Sequence, residues 1–280
     1  MKSLWKRHRH QNIVHSVHVL NPAAKRLIVF FPGWLSTEAT WRYFLPELSK
    51  DFRIEYFESR EKPSALPNKI RCQTFKAHGD DAVSFLNSLG DTPYYVVAAS
   101  VGASVYLSIV DRLEKRPDGQ ILIFPGARSP AAKVSGPLAI LFAVLRRSPS
   151  WLLYFLRPLF LAIIKRLAAK KDEYQATAAI QSLAAANLTR VTASARQLLE
   201  FELDLNAISK IAVPTLIIAA SHDSAHNIQD AKSIDNCLPN SSLCFFDTFT
   251  HTHSSTCARK ILDWIGEVDL KDQNFEDFVG

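Results

Sequence analysis

The chain has 280 residues, enough for one large domain carrying an insertion, because a single core stops growing near about 250–300 residues. Hydrophobic residues at 48% and charged residues at 21% exclude disordered and fibrous classes. The net charge of +6 is unevenly placed: Met1–His10 holds four Lys/Arg and 127–171 holds nine, neither with any Asp or Glu, while acids outnumber bases elsewhere. A nucleic-acid binder spreads positive charge along a groove with interleaved aromatics, so no nucleic-acid partner is expected.

In chain order, residues 1–12 read as a basic N-terminal arm. The charged start is not followed by an apolar run of about 7–15 residues, so no secretory signal is expected. Cys72, Cys237, Cys244 and Cys257 form neither a CxxC nor a disulfide framework, so a reducing, cytoplasmic setting is expected.

Strand-like runs rich in β-branched and aromatic residues then recur at 15–20, 26–31, 52–57, 94–99, 121–124, 215–220 and 243–249. Helix-like segments lie between them at 40–49, 72–89, 102–115, 227–238 and 254–265. That alternation predicts an α/β protein, a mainly parallel sheet with helices on both faces, built from 13–128 and 211–267.

From 129 to 210 the strands stop and only helical periodicity remains, punctuated by Pro137, Pro149 and Pro158, which predicts an inserted helical cap. Its longest charge-free runs, Val134–Leu145 and Ser148–Leu156, fall short of the roughly 20 residues needed to span a bilayer. A polar tail, 268–280, ends the chain.

The run YYVVAASVGAS (94–104) places a small-residue turn around a serine between a strand and a helix. This is the context of a nucleophile elbow, G-x-S-x-G, read here as Ala98-Ala99-Ser100-Val101-Gly102. A serine hydroxyl needs a base to take its proton, usually a histidine held by a carboxylate. Downstream, one apolar strand ends on Asp223 and another on His251, and strand ends converge on one edge of an open α/β sheet.

The expected catalytic set is therefore Ser100 as nucleophile, His251 as base and Asp223 as its orienting acid, with His253 the rival to His251. No Asp or Glu lies between Asp118 and Asp172, so the strand at 121–124 supplies no acid; Asp247 and His222 are expected at the surface. The backbone N–H groups of Val101 and Trp34, the latter in the loop RLIVFFPGWLS, are the expected oxyanion donors. His8, His10, His15 and His18 have no ligand spacing such as HExxH, so neither a metal nor a cofactor is expected.

With these residues in place, the sequence resembles the α/β-hydrolase superfamily, in the branch with a helical cap between the sixth and seventh strands, over most of 13–266 outside the cap. Where that family usually has His-Gly-X this chain has Pro32-Gly33-Trp34, and the following TEATWRYFLPELS is similar to the family's first helix. Where a glycine-rich turn is usual, the chain has Glu58-Ser59-Arg60-Glu61-Lys62-Pro63. The separation of Asp223 from His251 is also similar to the family's.

The resemblance implies a serine hydrolase. An apolar, basic cap points to a lipophilic ester as substrate and to peripheral contact with an anionic membrane surface. Two alternatives stand beside it: the same triad used for C–C hydrolysis, lyase or acyl-transfer chemistry, and a non-catalytic scaffold that binds a partner or membrane.

Overall fold

A computed structural model describes residues 2–67, 72–128, 147–168, 173–198, 200–223 and 226–279. Its strands are β1 (Ser3–His10), β2 (Ile13–Leu20), β3 (Arg26–Phe31), β4 (Phe52–Phe57), β5 (Tyr94–Ala99), β6 (Gly119–Ile123), β7 (Thr215–His222) and β8 (Ser241–Thr248). They form one eight-stranded sheet in the order β1-β2-β4-β3-β5-β6-β7-β8. β1 and β2 pair antiparallel to their neighbours, and β4 through β8 are parallel. The seven expected strands lie within two residues of their observed bounds.

The parallel strands read as continuous apolar runs because both faces are covered. Alternate residues serve opposite cores: Leu27, Val29, Phe31, Val96 and Ala98 on one face, Ile28, Phe30, Val97 and Ala99 on the other. On the first face pack α2 (Phe75–Asn87) through Phe85 and Leu86, α3 (Val101–Leu107) through Tyr106, and α8 (Ile228–Cys237) through Ile234. On the second pack α1 (Leu45–Leu48) and α10 (Ser255–Val279), the latter through Cys257, Ala258, Ile261 and Ile265, an i, i+1, i+4, i+8 stripe.

The helices expected at 40–49 and 102–115 are shorter, each divided between a 3-10 turn and an α-helix, and both ends of the described chain differ from expectation. Ser3–His10, within the expected arm, is an edge strand: β1 pairs with β2 from Ser3↔Leu20 to His10↔Ile13. Most of its side chains are exposed, so no apolar alternation marks it, and backbone pairing together with bonds from Lys6, His8 and His10 holds it; Lys6, Arg7 and Arg9 make it a charged edge that resists further pairing. At the other end, α10 runs on through the expected polar tail to Val279.

Between β6 and β7 lie α4 (Ser150–Ala168), α5 (Glu173–Ala185) and α6 (Leu188–Gln197), followed by the short α7 (Leu205–Ile208). Val134–Leu145, Lys133, Arg146, Lys170 and Lys171, which entered the cap reading, lie outside the described residues. Leu153 of α4 and Leu188, Val191 and Ala195 of α6 form a separate apolar cluster with Val101 and Val105 of α3, and Trp34 packs against it. The inserted helices thus sit on the helix that follows Ser100. Among the described residues no helix is long and apolar enough to cross a membrane.

Candidate active site

β3 pairs with β4 on one side and β5 on the other, so the chain reverses its direction of travel across the sheet between them. Loops leaving the carboxyl ends of β3 and β5 diverge there and open a crevice. Gly33 follows β3 and Ser100 follows β5, and each borders the other: a Cβ built on Gly33 would lie 3.2 Å from Ser100 Cβ.

Ser100 is the single residue between β5 and α3, which forces a sharp reversal. It has φ 51° and ψ −123°, a conformation that L residues rarely adopt. Neighbouring bonds hold it there: its N–H donates to Ile123 O at 2.8 Å, and its carbonyl accepts from Ser104 N at 3.1 Å. Gly102 permits the reversal, since a Cβ at that position would lie 2.4 Å from Pro32 O and 2.8 Å from Phe31 O. Ala98, which stands at the motif's first glycine position, is fully buried in the sheet.

Asp223 lies just past β7, and its side chain is 1% exposed. The imidazole between it and Ser100 is that of His226, three residues on, just before Asn227, the N-cap of α8. His226 Nδ1 is 2.7 Å from Asp223 Oδ2, and His226 Nε2 is 3.1 Å from Ser100 Oγ. The carboxylate accepts, so Nδ1 carries the proton and Nε2 is left to accept from the serine hydroxyl.

Two neighbours fix this pair. Gln175 of α5 donates from Nε2 to Asp223 Oδ1 at 3.2 Å. The ring of Phe124, at the end of β6, stacks on His226 with centroids 4.4 Å apart and planes 6° from parallel.

His251, expected in that place, stands elsewhere. β8 ends at Thr248 and the chain enters the helical turn α9 (Phe249–Thr252). Phe249 and Thr252 share its buried side, and at about 100° per residue His251 falls opposite Phe249. It is exposed, and its Nδ1 is 3.1 Å from Thr248 Oγ1. His253 is buried between rings, 4.1 Å from Trp41 and 4.1 Å from Phe249, with Nδ1 3.0 Å from Phe249 O. His222 and Asp247 form an exposed pair at 2.8 Å.

His226 satisfies the same Ser, Asp, His chain order but ends no strand. Its signal in the sequence is an imidazole in the short loop between Asp223 and the helix cap Asn227.

Of the two expected oxyanion donors, Val101 opens α3, where the first N–H groups have no partner within the helix. Trp34 follows Gly33 beside Ser100, and its indole Nε1 donates to Ser194 Oγ of α6 at 2.9 Å.

Beneath this loop lies a buried polar cluster drawn from the turn after β4 and from α2. Burial alone would raise the Glu61 carboxyl, but the Lys62 ammonium, His78 and Ser59 outweigh it and hold it down to about 2. Burial lowers His78 to about 4, which keeps it neutral. Asp81 would likewise be raised by burial, yet His15 and Arg60, with Arg60 Nε at 2.7 Å, hold it well below the carboxylate range. Among the described residues no group of His, Cys, Asp and Glu is arranged to hold a metal ion.

No protein-family model matches the chain, and no curated protein matches it in sequence. Solved structures do match in shape. A thermophilic esterase from Thermogutta terrifontis superposes with a TM-score of 0.71 at 17% identity, over 96% of this chain and 99% of the other. A bromoperoxidase from Bacillus anthracis gives 0.74 at 13% identity, over 95% and 100%. A serine hydrolase from Cycloclasticus zankles gives 0.68 at 15% identity, over 94% and 96%. With the strand order, the crossover at β3 and β5 and the strained turn at Ser100, these matches establish that the chain has the α/β-hydrolase fold.

Proposed function

We propose that this chain is a serine hydrolase that cleaves carboxylic esters of lipophilic acyl groups, with Ser100 as nucleophile, His226 as general base and Asp223 as the group that orients it. The observation that carries this reading is the connected line Ser100 Oγ, His226 Nε2, His226 Nδ1, Asp223 Oδ2, with links of 3.1 and 2.7 Å. Both links lie within the reach required of a nucleophile and its base. The esterase and serine hydrolase among the structural neighbours carry such chemistry in their names; the bromoperoxidase is a reminder that the fold alone does not choose the reaction.

In this mechanism His226 Nε2 takes the hydroxyl proton as Ser100 Oγ attacks the acyl carbon. The carbonyl oxygen becomes an oxyanion facing the N–H groups of Trp34 and Val101. Collapse expels the alcohol, protonated by His226, and leaves an acyl-Ser100. His226 then deprotonates a water that attacks the acyl carbon, and a second collapse releases the carboxylic acid and restores Ser100. Asp223 stabilises the imidazolium in both halves without itself taking the proton.

Hydrolysis of p-nitrophenyl esters of increasing chain length tests this. Ser100→Ala is expected to abolish turnover, and His226→Ala to lower it by about a hundredfold to ten-thousandfold. His251→Ala is expected to leave it unchanged. Full activity in the Ser100 or His226 variant would overturn the reading.

A separate observation supports membrane docking of the inserted helices. On α4, Trp151, Phe155 and Leu159 recur every fourth residue and are 69%, 80% and 56% exposed, with Tyr154 beside them. They sit within the 127–171 stretch that holds nine bases and no acid. Exposed aromatics amid basic charge suit an anionic bilayer surface. We propose peripheral contact there, with esters drawn from that surface. Co-sedimentation with phosphatidylglycerol vesicles, weakened by salt and by Trp151→Ser/Phe155→Ser, is expected. Equal binding of the variant and wild type, or none by either, would contradict it.

A further inference from the structure

The turn Glu58-Ser59-Arg60-Glu61-Lys62-Pro63 stands where a glycine-rich turn was expected, and it buries an ion pair that reaches Gly33, the neighbour of Ser100. Lys62 and Glu61 side chains are 4% and 1% exposed, with Nζ 3.0 Å from Glu61 Oε1. Lys62 Nζ also donates to Gly33 O at 3.0 Å, and the same carbonyl accepts from Ser36 N at 3.1 Å.

Gly33 C=O and Trp34 N–H are the two ends of one planar peptide unit and point in opposite directions. Whatever fixes the carbonyl therefore aims the N–H. A cation at the oxygen also polarises the peptide and makes its N–H a stronger donor, since linked hydrogen bonds reinforce one another.

The inserted helices complete the arrangement from outside. Arg190 of α6 is 1% exposed and donates to Lys62 O, to Ala65 O at 2.7 Å and to Pro67 O at 3.0 Å. One helical turn on, Ser194 accepts from the Trp34 indole. A single face of α6 thus holds both the backbone of Lys62 and the side chain of Trp34. A buried ion pair adds little net stability compared with apolar residues of the same size, so fold stability does not account for it.

We propose that Lys62 is a positioning residue that aims and polarises the Gly33–Trp34 peptide, so that the Trp34 N–H meets the oxyanion formed on attack by Ser100. Arg190 holds Lys62 in place. This inference rests on the serine-hydrolase reading above.

The test replaces the whole pair, Glu61→Gln/Lys62→Met, so that no unpaired charge stays buried; Glu61→Gln/Lys62→Gln, which restores a neutral donor, is the second variant. Two quantities are compared with wild type: kcat and KM for an ester, and inhibition by an aryl trifluoromethyl ketone, which adds to the serine and forms an oxyanion. The expected result for the Met variant is a loss of about tenfold to a hundredfold in kcat with KM unchanged. The ketone should weaken by the same factor, and the Gln pair should recover part of both.

Equal ketone affinity in wild type and the folded Met variant would overturn the role of Lys62 and leave the serine-hydrolase reading intact. A KM change without a kcat change would do the same. Failure of wild type to form the adduct or cleave the ester would overturn both readings together. If the Met variant does not fold, the Gln pair decides on the same criteria.

Discussion

Replacing Gly102 by alanine tests how tightly the turn at Ser100 is bound to the loop after β3. The added methyl would sit 2.4 Å from Pro32 O, 2.8 Å from Phe31 O and 3.0 Å from Pro32 C, all backbone atoms that no rotamer can move aside. Real Cβ atoms stay beyond 3.0 Å, so either α3 or the Phe31–Pro32 segment must retreat by at least about 0.6 Å, the shortfall from 2.4 Å. Overpacking of this kind costs about 1–3 kcal/mol, roughly 2–4 °C of melting temperature per kcal/mol in a chain near this size.

The same displacement is passed directly to Gly33 and Trp34, the next residues along. A shift approaching 1 Å at a catalytic group costs up to about a hundredfold in rate. Gly102→Ala is therefore expected to lower both the melting temperature and kcat/KM, with thermal unfolding and ester hydrolysis measured on the same preparation. Gly266→Ala in α10, where an added Cβ meets nothing within 4 Å, is the control and should stabilise by about 0.5–1 kcal/mol. Wild-type stability and wild-type rate in Gly102→Ala would refute the close approach on which the site's geometry depends.

Three further outcomes follow from the same structure. Ser100→Gly relieves the positive φ and should raise stability by about 1 kcal/mol while removing activity, read by urea unfolding; a destabilised variant would deny the strain. Below pH 6.5 the unfolded chain protonates His78 while the folded chain resists until about 4, so stability is full above that window and falls by on the order of 3 kcal/mol across it. Glu61, held down to about 2 against 4.5, adds a further loss as pH falls below 4.5; a flat urea midpoint from pH 7 to 4 would contradict the His78 assignment, and no further fall below pH 4.5 would contradict that of Glu61. Arg190→Met removes a donor from Lys62 O, Ala65 O and Pro67 O, of which Lys62 O keeps the Ala65 N–H, and should cost about 1–3 kcal/mol, with a loss of kcat through Lys62; an unchanged melting curve would count against the role of Arg190.

The parallel strands and the turn at Ser100 were legible in the sequence because burial on both sheet faces and a one-residue strand-to-helix reversal each constrain composition strongly. β1 was not: an edge strand with mostly exposed side chains is held by backbone pairing and by polar bonds such as His10–Asp81, which leave no apolar pattern. The strand before His251 reads as one continuous run through residue 249, but Phe249 and Thr252 gain more by burial on one side of a helical turn, and this rotates His251 into solvent. His226 escaped notice because a loop imidazole three residues from its carboxylate carries no periodic signal. The buried Glu61–Lys62 pair read only as a departure from an expected glycine-rich turn, since nothing in its spacing reveals that Lys62 reaches back across the sheet to Gly33.

The central claim is an activated Ser100 served by His226. Labelling with a fluorophosphonate probe followed by peptide mapping tests it most directly, in wild type and in the Ser100→Ala, His226→Ala and His251→Ala variants. Modification at Ser100 is expected in wild type and in His251→Ala, and its loss in the other two. Labelling that survives His226→Ala, labelling lost in folded His251→Ala, or no labelling of folded wild type would contradict it.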